Sequence, residues 1–397
     1  MTADGIGARV RMARRAKGLT LETLSGLAGM STSALSMFET GARSLDRLSY
    51  IDNLARALGV SRTWLLGQPA EPTTARSAGR HHRIERIRVA LMDTELGERP
   101  EVEPRPLPAL TLLARSVGAT LHRPGRVDEV ADRLPALLTE LHAWAASGDE
   151  RQRRDALRAL VLACAATCGT IKWFGHPELV WIAGERGRQA ARRLGEPVWV
   201  GLAEFYRSPG ATAYSRTLST SERAVAALLP HVGDGLSMQV AGMLHLMAAF
   251  GAAVVGRAEA TRSHLDEAAG LAARTGDRTD LDLFFGPTNL AIWRVSVAVE
   301  RGEGGRAAEI ARGIDLRTMP SVMRQANLLT DLGRAFVQER RDTRALNAFR
   351  SAERLVPEVV HGHPLVREAT GRMLYRSRQA TASSDLRAFA HRVGALD

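Results

Sequence analysis

The segment ANLLTDLGRAFVQERRDTRALNAFRSAERLVPEV, residues 326–359, carries the clearest structural pattern in the chain. Its apolar positions recur every three or four residues on both sides of the polar stretch QERRDT, which predicts two α-helices joined by a turn. The positions that define the pattern are Leu329, Leu332, Gly333, Phe336, Ala345, Phe349, Ala352 and Pro357. Gly333 and Ala345 would let the two backbones approach, larger side chains would fill the groove between them, and Pro357 would end the second helix.

Weaker copies of this pattern precede it. They comprise Leu290, Trp293 and Val297 before Ile310, and Ala249 and Ala252 before Leu265 and Ala268. The copies start about 40 residues apart, where a standard repeat of this kind has ~34. No segment alternates with period two for long enough to predict a strand, so the predicted fold class is all-α. An irregular helical bundle is the alternative to a repeat array.

The pattern in residues 326–359 resembles the tetratricopeptide repeat at all eight of its signature positions. In that family the first helix of each repeat lines a groove for peptides, so the resemblance implies an α-solenoid with a ligand groove. The side chains that it places in the groove are Lys172, Asn289, Asn327, Thr330 and Arg334. An amide can bond a peptide backbone through donor and acceptor, and a cation can hold a terminal carboxylate. Ordinary surface polarity is the alternative for each.

Residues 6–66 carry the signals of five short helices. The first is a basic amphipathic helix over Ile6–Lys17. The next two begin after a hydroxyl residue and end at a glycine. A hydroxyl at the N-cap accepts from a free backbone amide, and glycine adopts the left-handed conformation of a helix end, so both residues mark helix boundaries. These signals are Thr20, Gly29, Ser31 and Gly41, and further helices are expected over Arg47–Leu58 and from Ser61.

This arrangement resembles the helix-turn-helix domain of the Xre/lambda-repressor family. The matching residues are Leu19, Thr20, Leu24, Ala28, Gly29, Ser31, Leu35, Phe38, Glu39, Gly41, Arg43, Leu54, Leu58, Gly59 and Val60. In such domains the third helix enters the major groove, while helix N-termini and arginines hold phosphates. The resemblance implies base contacts from Thr32, Ser33, Ser36 and Met37, phosphate contacts from Thr20 and Arg43, and electrostatic attraction from Arg9, Arg14 and Arg15.

Two departures from the family pattern affect how DNA would be read. The second helix often begins with Gln, and here that position is Leu21. The recognition helix contains no Arg, Lys, Asn or Gln, so bidentate readout of guanine or adenine is excluded there. Hydroxyl contacts, thymine methyl contacts and DNA shape would have to supply specificity. A domain that mediates only protein contacts is the alternative.

Composition limits the class of protein without identifying a partner. The formal charge of +11 comes almost wholly from arginine, since Lys17 and Lys172 are the only lysines. Such a bias is typical of a GC-rich genome, so the overall charge is not counted as a nucleic-acid signal. No run of ~18 apolar residues predicts a membrane span, and two cysteines in 397 residues cannot form a disulfide framework. We expect a cytoplasmic protein.

Three regions follow from these patterns. Residues 1–67 are the predicted DNA-binding domain, and residues 68–108 a linker region with one short helix, Ile84–Met92. Residues 109–397 are the predicted tetratricopeptide-like sensor or dimerisation domain. Pro, Gly, Ser and Thr replace periodic apolar residues in Gly67–Arg80, which is typical of a linker.

Candidate catalytic or metal-binding patterns are weak. Cys164 and Cys168 lie on one helix face, but His176 stands alone and no second ligand pair follows, so a packing role is favoured. The histidines at 81, 82, 361 and 363 have no partners at ligand spacing, and the glycines of 302–307 follow a helix rather than a strand. We therefore expect no enzyme activity, no metal and no cofactor.

Together the patterns predict a sequence-specific transcriptional regulator. It would bind operator DNA as a homodimer and be controlled by a peptide or small molecule in the repeat groove. The alternative is a scaffold that recruits a protein partner to DNA through its repeats without a small ligand.

Overall fold

The computed structural model describes residues 5–68, 75–377 and 383–396, and these residues are predominantly α-helical. No strand occurs in these ranges, and the one extended pairing among them is an isolated bridge between Arg278 and Phe285. The predicted all-α class is confirmed. Five helices form an N-terminal domain, and the helices that follow form a body of stacked helix pairs.

The helices are numbered in chain order. The N-terminal domain contains α1 Ile6–Ala16, α2 Leu21–Ala28, α3 Thr32–Glu39, α4 Leu48–Leu58 and α5 Arg62–Leu66. The body contains α6 Ala75–Met92, α7 Leu107–Leu121, α8 Val127–Ser147, α9 Glu150–Ile171, α10 Pro177–Leu194, α11 Pro197–Arg207, α12 Tyr214–Leu228, α13 Gly235–Val254, α14 Ala258–Thr275, α15 Pro287–Arg301, α16 Gly304–Arg312, α17 Val322–Gln338, α18 Asp342–Leu355, α19 Pro357–His361, α20 Pro364–Ser377 and α21 Ser384–Arg392.

Local signals account for the helix ends of the N-terminal domain. The Thr20 hydroxyl accepts from the Thr23 amide at 3.1 Å, and the Ser31 hydroxyl accepts from the Ala34 amide at 3.2 Å. Gly29 ends α2 with a φ of 66°, a conformation that costs glycine little. Gly7 lets α1 cross α3, because a Cβ at this position would lie 2.0 Å from the Phe38 carbonyl oxygen.

One apolar cluster holds the N-terminal domain together. It consists of inward side chains from all five helices, among them Val10, Leu24, Leu35, Phe38, Leu54 and Leu65. The body contributes Leu365 from α20 to the same cluster. The N-terminal domain therefore shares part of its core with the body.

The helix pair at residues 326–359 forms as the spacing predicts. Helices α17 and α18 pack together, and a Cβ on Gly333 would lie only 2.4 Å from the Phe349 ring. Ala345, Phe349 and Ala352 are fully buried. Helix α18 ends at Leu355, and Pro357 begins the next helix.

The predicted linker helix is longer than its sequence pattern indicates. It begins at Ala75 rather than at Ile84, and the segment 69–74 of the predicted linker lies outside the described residues. Ile87 and Leu91 are buried in the core of the body, and Arg83 donates to Asp132 of α8 at 3.0 Å. Long-range packing therefore extends the helix through a stretch of low apolar content.

Two segments are long and apolar enough to cross a membrane. They are Glu150–Phe174 and Gly235–Val254, and 67% and 89% of their most apolar windows are buried inside the protein. Burial of this degree is also what core helices of a soluble protein show.

Candidate nucleic-acid interface and ligand cavity

The third helix of the N-terminal domain separates an inner from an outer face. Leu35 and Phe38 are at most 1% exposed, whereas Ser33 and Met37 face outward. Ser36 is half-buried. The Thr32 hydroxyl lies 3.0 Å from that of Ser25, so Thr32 also fixes the turn between α2 and α3.

Thr20 directly precedes α2, and Arg43 follows α3 in the chain. Thr20 is exposed and caps the start of α2. The exposed Arg43 guanidinium lies 5.3 Å from the Phe38 ring centroid and 5.9 Å from that of Tyr50. These ring contacts direct the cation of Arg43 along the outer edge of the domain.

One of the three α1 arginines that were expected to attract DNA is held in an ion pair. Arg14 donates to the buried Glu39 carboxylate at 2.6 and 2.8 Å. This bidentate pair offsets the two charges and joins α1 to α3, so Arg14 has a structural partner, and its role in attraction stays a prediction. Arg9 reaches the Leu65 carbonyl at 3.5 Å, and Arg15 is exposed.

The body holds the segment that directly follows α3. We call residues 41–48 the docking loop. The Leu48 amide donates to Glu300 at 2.9 Å, and the Leu45 amide donates to Glu368 at 3.1 Å. Arg334 donates to the Asp46 carbonyl at 2.8 Å. Arg372 also donates to the Gly41 carbonyl at 3.4 Å. Two carboxylates and two guanidinium groups of the body therefore bind the backbone of this loop.

A second contact lies beside the docking loop. Asp52 of α4 accepts from the Tyr214 amide at 3.2 Å, and Arg62 of α5 donates to the Ala211 carbonyl at 3.2 Å. The Arg62 guanidinium also lies 4.7 Å from the Tyr214 ring centroid. Burial raises the pKa of Asp52 despite the nearby Arg62 charge. This contact attaches the back of the N-terminal domain to the start of α12.

Glu300 and Arg334 form the most deeply buried ion pair at this junction. Their side chains are 0% and 4% exposed, and Arg334 Nη2 lies 2.7 Å from Glu300 Oε1. Asp331 lies 3.0 Å from the same guanidinium. Burial alone would lower the pKa of Arg334, but the charges of Glu300 and Asp331 outweigh it and raise that pKa. Arg334 is therefore held as a cation.

A cavity in the body reaches this junction. Its outer chamber, about 310 Å³, is bounded by the N-terminal domain at Leu48 and Arg62 and by the body at Glu300. Its inner chamber, about 320 Å³, lies between α7, α9, α11 and α17. The chambers adjoin, because six residues line both: Lys172, Pro209, Met247, Trp293, Arg324 and Asn327.

Four of the five groove residues expected from the sequence meet at this cavity. Lys172, Asn327, Thr330 and Arg334 all line the outer chamber. Asn289 lines neither chamber. Its side chain is fully buried and its amide nitrogen lies 3.5 Å from the Met243 sulfur, because α15 turns this position toward α13. The expected groove position of Asn289 is therefore corrected.

The inner chamber contains charged residues that repeat spacing did not indicate. They are Arg115, Asp282 and Arg324. Arg324 lies one helical turn before Asn327, so the spacing of three along α17 was a usable signal. Asp282 comes from a connection that the repeat pattern treats as a simple turn.

That connection, residues 276–286, is here called the strap. Leu281, Asp282 and Phe284 have φ values of 49°, 58° and 52°, a region that costs non-glycine residues energy. The strap crosses to α7, since a Cβ on Gly118 would lie 2.3 Å from the Asp282 carboxylate. Burial raises the pKa of Asp282 to about 6. The strap thus closes one side of the inner chamber.

The cysteines and histidines form no metal centre in the described ranges, where no three His, Cys, Asp or Glu side chains are grouped as ligands. Cys164 and Cys168 are buried, and Cys168 donates to the Val180 carbonyl at 3.4 Å. Burial raises the pKa of Cys164 to about 12, so its thiol stays protonated and packs as a small apolar group.

Residues 6–65 match a family model described as a helix-turn-helix domain. The N-terminal domain is a helix-turn-helix domain. No curated protein is significantly similar to the chain. Among solved structures, the chain is similar to the crystal structure of ComR from S. thermophilus in complex with DNA and its signalling peptide ComS. The identity is 14%, the TM-score is 0.26, and the alignment covers 94% of this chain and 99% of that one.

Proposed function

We propose that this protein is a non-enzymatic, cytoplasmic transcriptional regulator that binds double-stranded operator DNA as a homodimer. The observation that carries the proposal is the helix-turn-helix domain itself, with the outward face of α3 uncovered by the body. Ser33, Ser36 and Met37 read base edges, with help from Thr32. Thr20 and Arg43 contact phosphates.

The helical body controls the position of the DNA-binding domain. Glu300 and Arg334 bind the docking loop and also line the outer chamber. A peptide or small molecule that enters this chamber therefore contacts the groups that hold the loop. Because the α3 face stays open, control acts through the placement of two recognition helices relative to successive major grooves, ~34 Å apart, rather than by covering them.

The test begins with selection of duplex DNA from a random library by the purified full-length chain. Affinity for the selected duplex is then measured by fluorescence anisotropy. Ser33→Glu and Ser36→Glu place a carboxylate against DNA, and each lowers specific affinity at least about 100-fold. The matched control is Ser263→Glu on α14, where the native serine is exposed as Ser33 is. This variant retains wild-type affinity. Unchanged binding by both α3 variants would refute the assignment of this surface.

Arg43→Ala separates phosphate contact from base readout. A phosphate contact predicts that affinity falls for all duplexes alike and that the slope of log affinity against log salt decreases by about one. A loss confined to the selected sequence would instead identify Arg43 as a base-reading residue. Sedimentation of the protein–duplex complex tests the homodimer, and one chain per duplex would exclude it.

A further inference from the structure

Three cationic side chains line the inner chamber: Arg115, Lys172 and Arg324. Lys172 and Arg324 have no internal counter-ion and lie on the part of the wall that the outer chamber shares. Lys172 lies 4.3 Å from the Trp173 ring centroid, and Arg324 lies 6.0 Å from that of Trp293. In the described part of the chain, neither side chain has a carboxylate within 4.0 Å, and Arg324 Nε is buried without a hydrogen-bond partner. A buried cationic atom such as Arg324 Nε is costly unless something pairs with it, whereas the Lys172 side chain is exposed and can reach an anion.

The two cations lie near one another and near His122. Burial and the charge of Arg324 lower the pKa of Lys172 from 10.5 to about 7. Burial, followed by the charges of Arg324 and Lys172, lowers the pKa of His122 to about 3. His122 is also tied to Ser321 at 2.6 Å. Lys172 and Arg324 therefore lie on one wall of the chamber beside an uncharged His122, and the Lys172 side chain is exposed.

The acidic residue of the chamber does not neutralise this wall. Asp282 is the one carboxylate among the chamber residues, and its pKa is raised to about 6 by burial alone, with no lowering by a cation. A carboxylate paired with Arg324 or Lys172 would have its pKa lowered. Asp282 lies against Gly118 on α7.

The remaining surface of the chamber is largely apolar. Its side chains include Leu121, Leu162, Phe205, Met247, Trp293 and Met323. Asn327, at the boundary of the two chambers, has a buried side-chain oxygen without a hydrogen-bond partner. The chamber thus combines a positive wall, an apolar wall and one free acceptor, in a volume at the lower end of ligand pockets, about 300–1,000 Å³.

We propose that the inner chamber binds an amphipathic organic anion, with its acidic group between Lys172 and Arg324 and its apolar part against the Phe205, Met247 and Met323 side chains. This inference rests on the proposed function, because it assigns the chemical class of the effector. The acidic group supplies the missing counter-charge through charge-assisted hydrogen bonds. The anion is either a small organic acid or the free C-terminus of an apolar peptide, which share this chemistry.

Binding of two matched fluorescent probes to the full-length protein tests the proposal. The probes are 1-anilinonaphthalene-8-sulfonate and the neutral N-phenyl-1-naphthylamine, which share the aromatic rings but differ in the anionic group. Lys172→Met and Arg324→Met each lower the affinity for the sulfonate at least about tenfold and change the affinity for the neutral probe less than about threefold. The control is Arg312→Met, which removes an exposed arginine from α16 and leaves both affinities unchanged. Equal loss for both probes, or no loss for the sulfonate, would overturn the proposal.

A competition assay uses only the wild-type chain, so its result does not depend on whether a variant folds. If the effector is a small organic acid, dodecanoate displaces the bound sulfonate probe, whereas dodecanol does not. If the effector is a peptide, an apolar heptapeptide with a free C-terminus displaces the probe, whereas the same heptapeptide with an amidated C-terminus does not. Equal displacement by the acidic and neutral members of both pairs contradicts an anion site. No DNA is present, so a failure here is separate from failure of the Ser33 and Ser36 variants in the DNA assay.

Discussion

The buried Glu300–Arg334 pair allows a quantitative test of how the body holds the docking loop. Arg334→Met leaves the fully buried Glu300 carboxylate with the Leu48 amide as its remaining partner at 2.9 Å. An uncompensated buried charge of this kind costs about 3–5 kcal/mol. Glu300→Gln costs less, about 2 kcal/mol, because Asp331 still lies 3.0 Å from the guanidinium and the amide oxygen can still accept.

The double variant decides whether the two groups act together. Because the fully buried Glu300 charge is removed together with its cation, the loss of unfolding free energy in Glu300→Gln/Arg334→Met is smaller than the sum of the single losses by about 2 kcal/mol. The partly buried Asp331 loses its cation in both Arg334 variants, so its contribution is the same in each. Urea unfolding followed by circular dichroism measures these values, provided that the slope against urea is unchanged. Hydrogen exchange of the Leu48 amide increases in each variant, since the loop is released.

A surface pair on α16 provides the control. Arg306 and Glu309 also approach to 2.7 Å, but their side chains are 59% and 57% exposed. The corresponding Arg306→Met and Glu309→Gln variants change the unfolding free energy far less than the variants of the buried pair, because solvent screens the exposed charges. The reasoning is refuted if the buried and exposed pairs give equal losses, or if the two losses at the buried pair simply add.

Two further outcomes follow from close contacts and from charge. Gly7→Ala destabilises the protein by about 2–3 kcal/mol, because the new Cβ would lie 2.0 Å from the Phe38 carbonyl oxygen. In Gly26→Ala on α2, the new Cβ has no heavy atom within 4 Å, so this variant stabilises the protein by up to about 1 kcal/mol in the same urea assay. Equal effects of Gly7→Ala and Gly26→Ala would contradict the close crossing of α1 and α3. The pKa of Lys172 is about 7 in the folded protein and 10.5 in the unfolded chain. Between pH 7 and pH 10.5 the unfolded chain therefore binds more protons than the folded protein, and the free energy of unfolding rises with pH. The gain in unfolding free energy is at most ~1.4 kcal/mol per pH unit, and it is smaller because cavity solvent screens the ammonium. In thermal melts, the melting temperature rises less from pH 7 to pH 9 in Lys172→Met than in the wild type. An equal rise in both proteins would contradict this account.

Local signals predicted most of the N-terminal domain. Thr20, Ser31 and Ser61 cap the second, third and fifth helices in the structure, and Gly29 ends α2. These residues act on backbone groups within a few positions, so their effect can be read from short stretches of sequence. The Gly333–Phe349 contact was predictable for a related reason, since repeat spacing specifies which positions face each other.

Contacts between distant parts of the chain could not be predicted in this way. Glu300 and Glu368 bind the docking loop across more than 250 positions, and nothing near them in sequence indicates their partner. Asn289 shows the same limit, because a small rotation of α15 turns a side chain from a groove into a core. Arg324 was accessible in principle, since it shares a helix face with Asn327 and Arg334.

Leu365 gives the shared core an evolutionary consequence. Recombination exchanges domains most simply between units that have separate cores. Here a foreign first domain would have to accommodate Leu365, while this first domain, moved elsewhere, would have a hole where that side chain packs. Exchange is therefore restricted to lineages that carry a matching apolar residue at this point of α20, so the N-terminal domain and the body are expected to be inherited together.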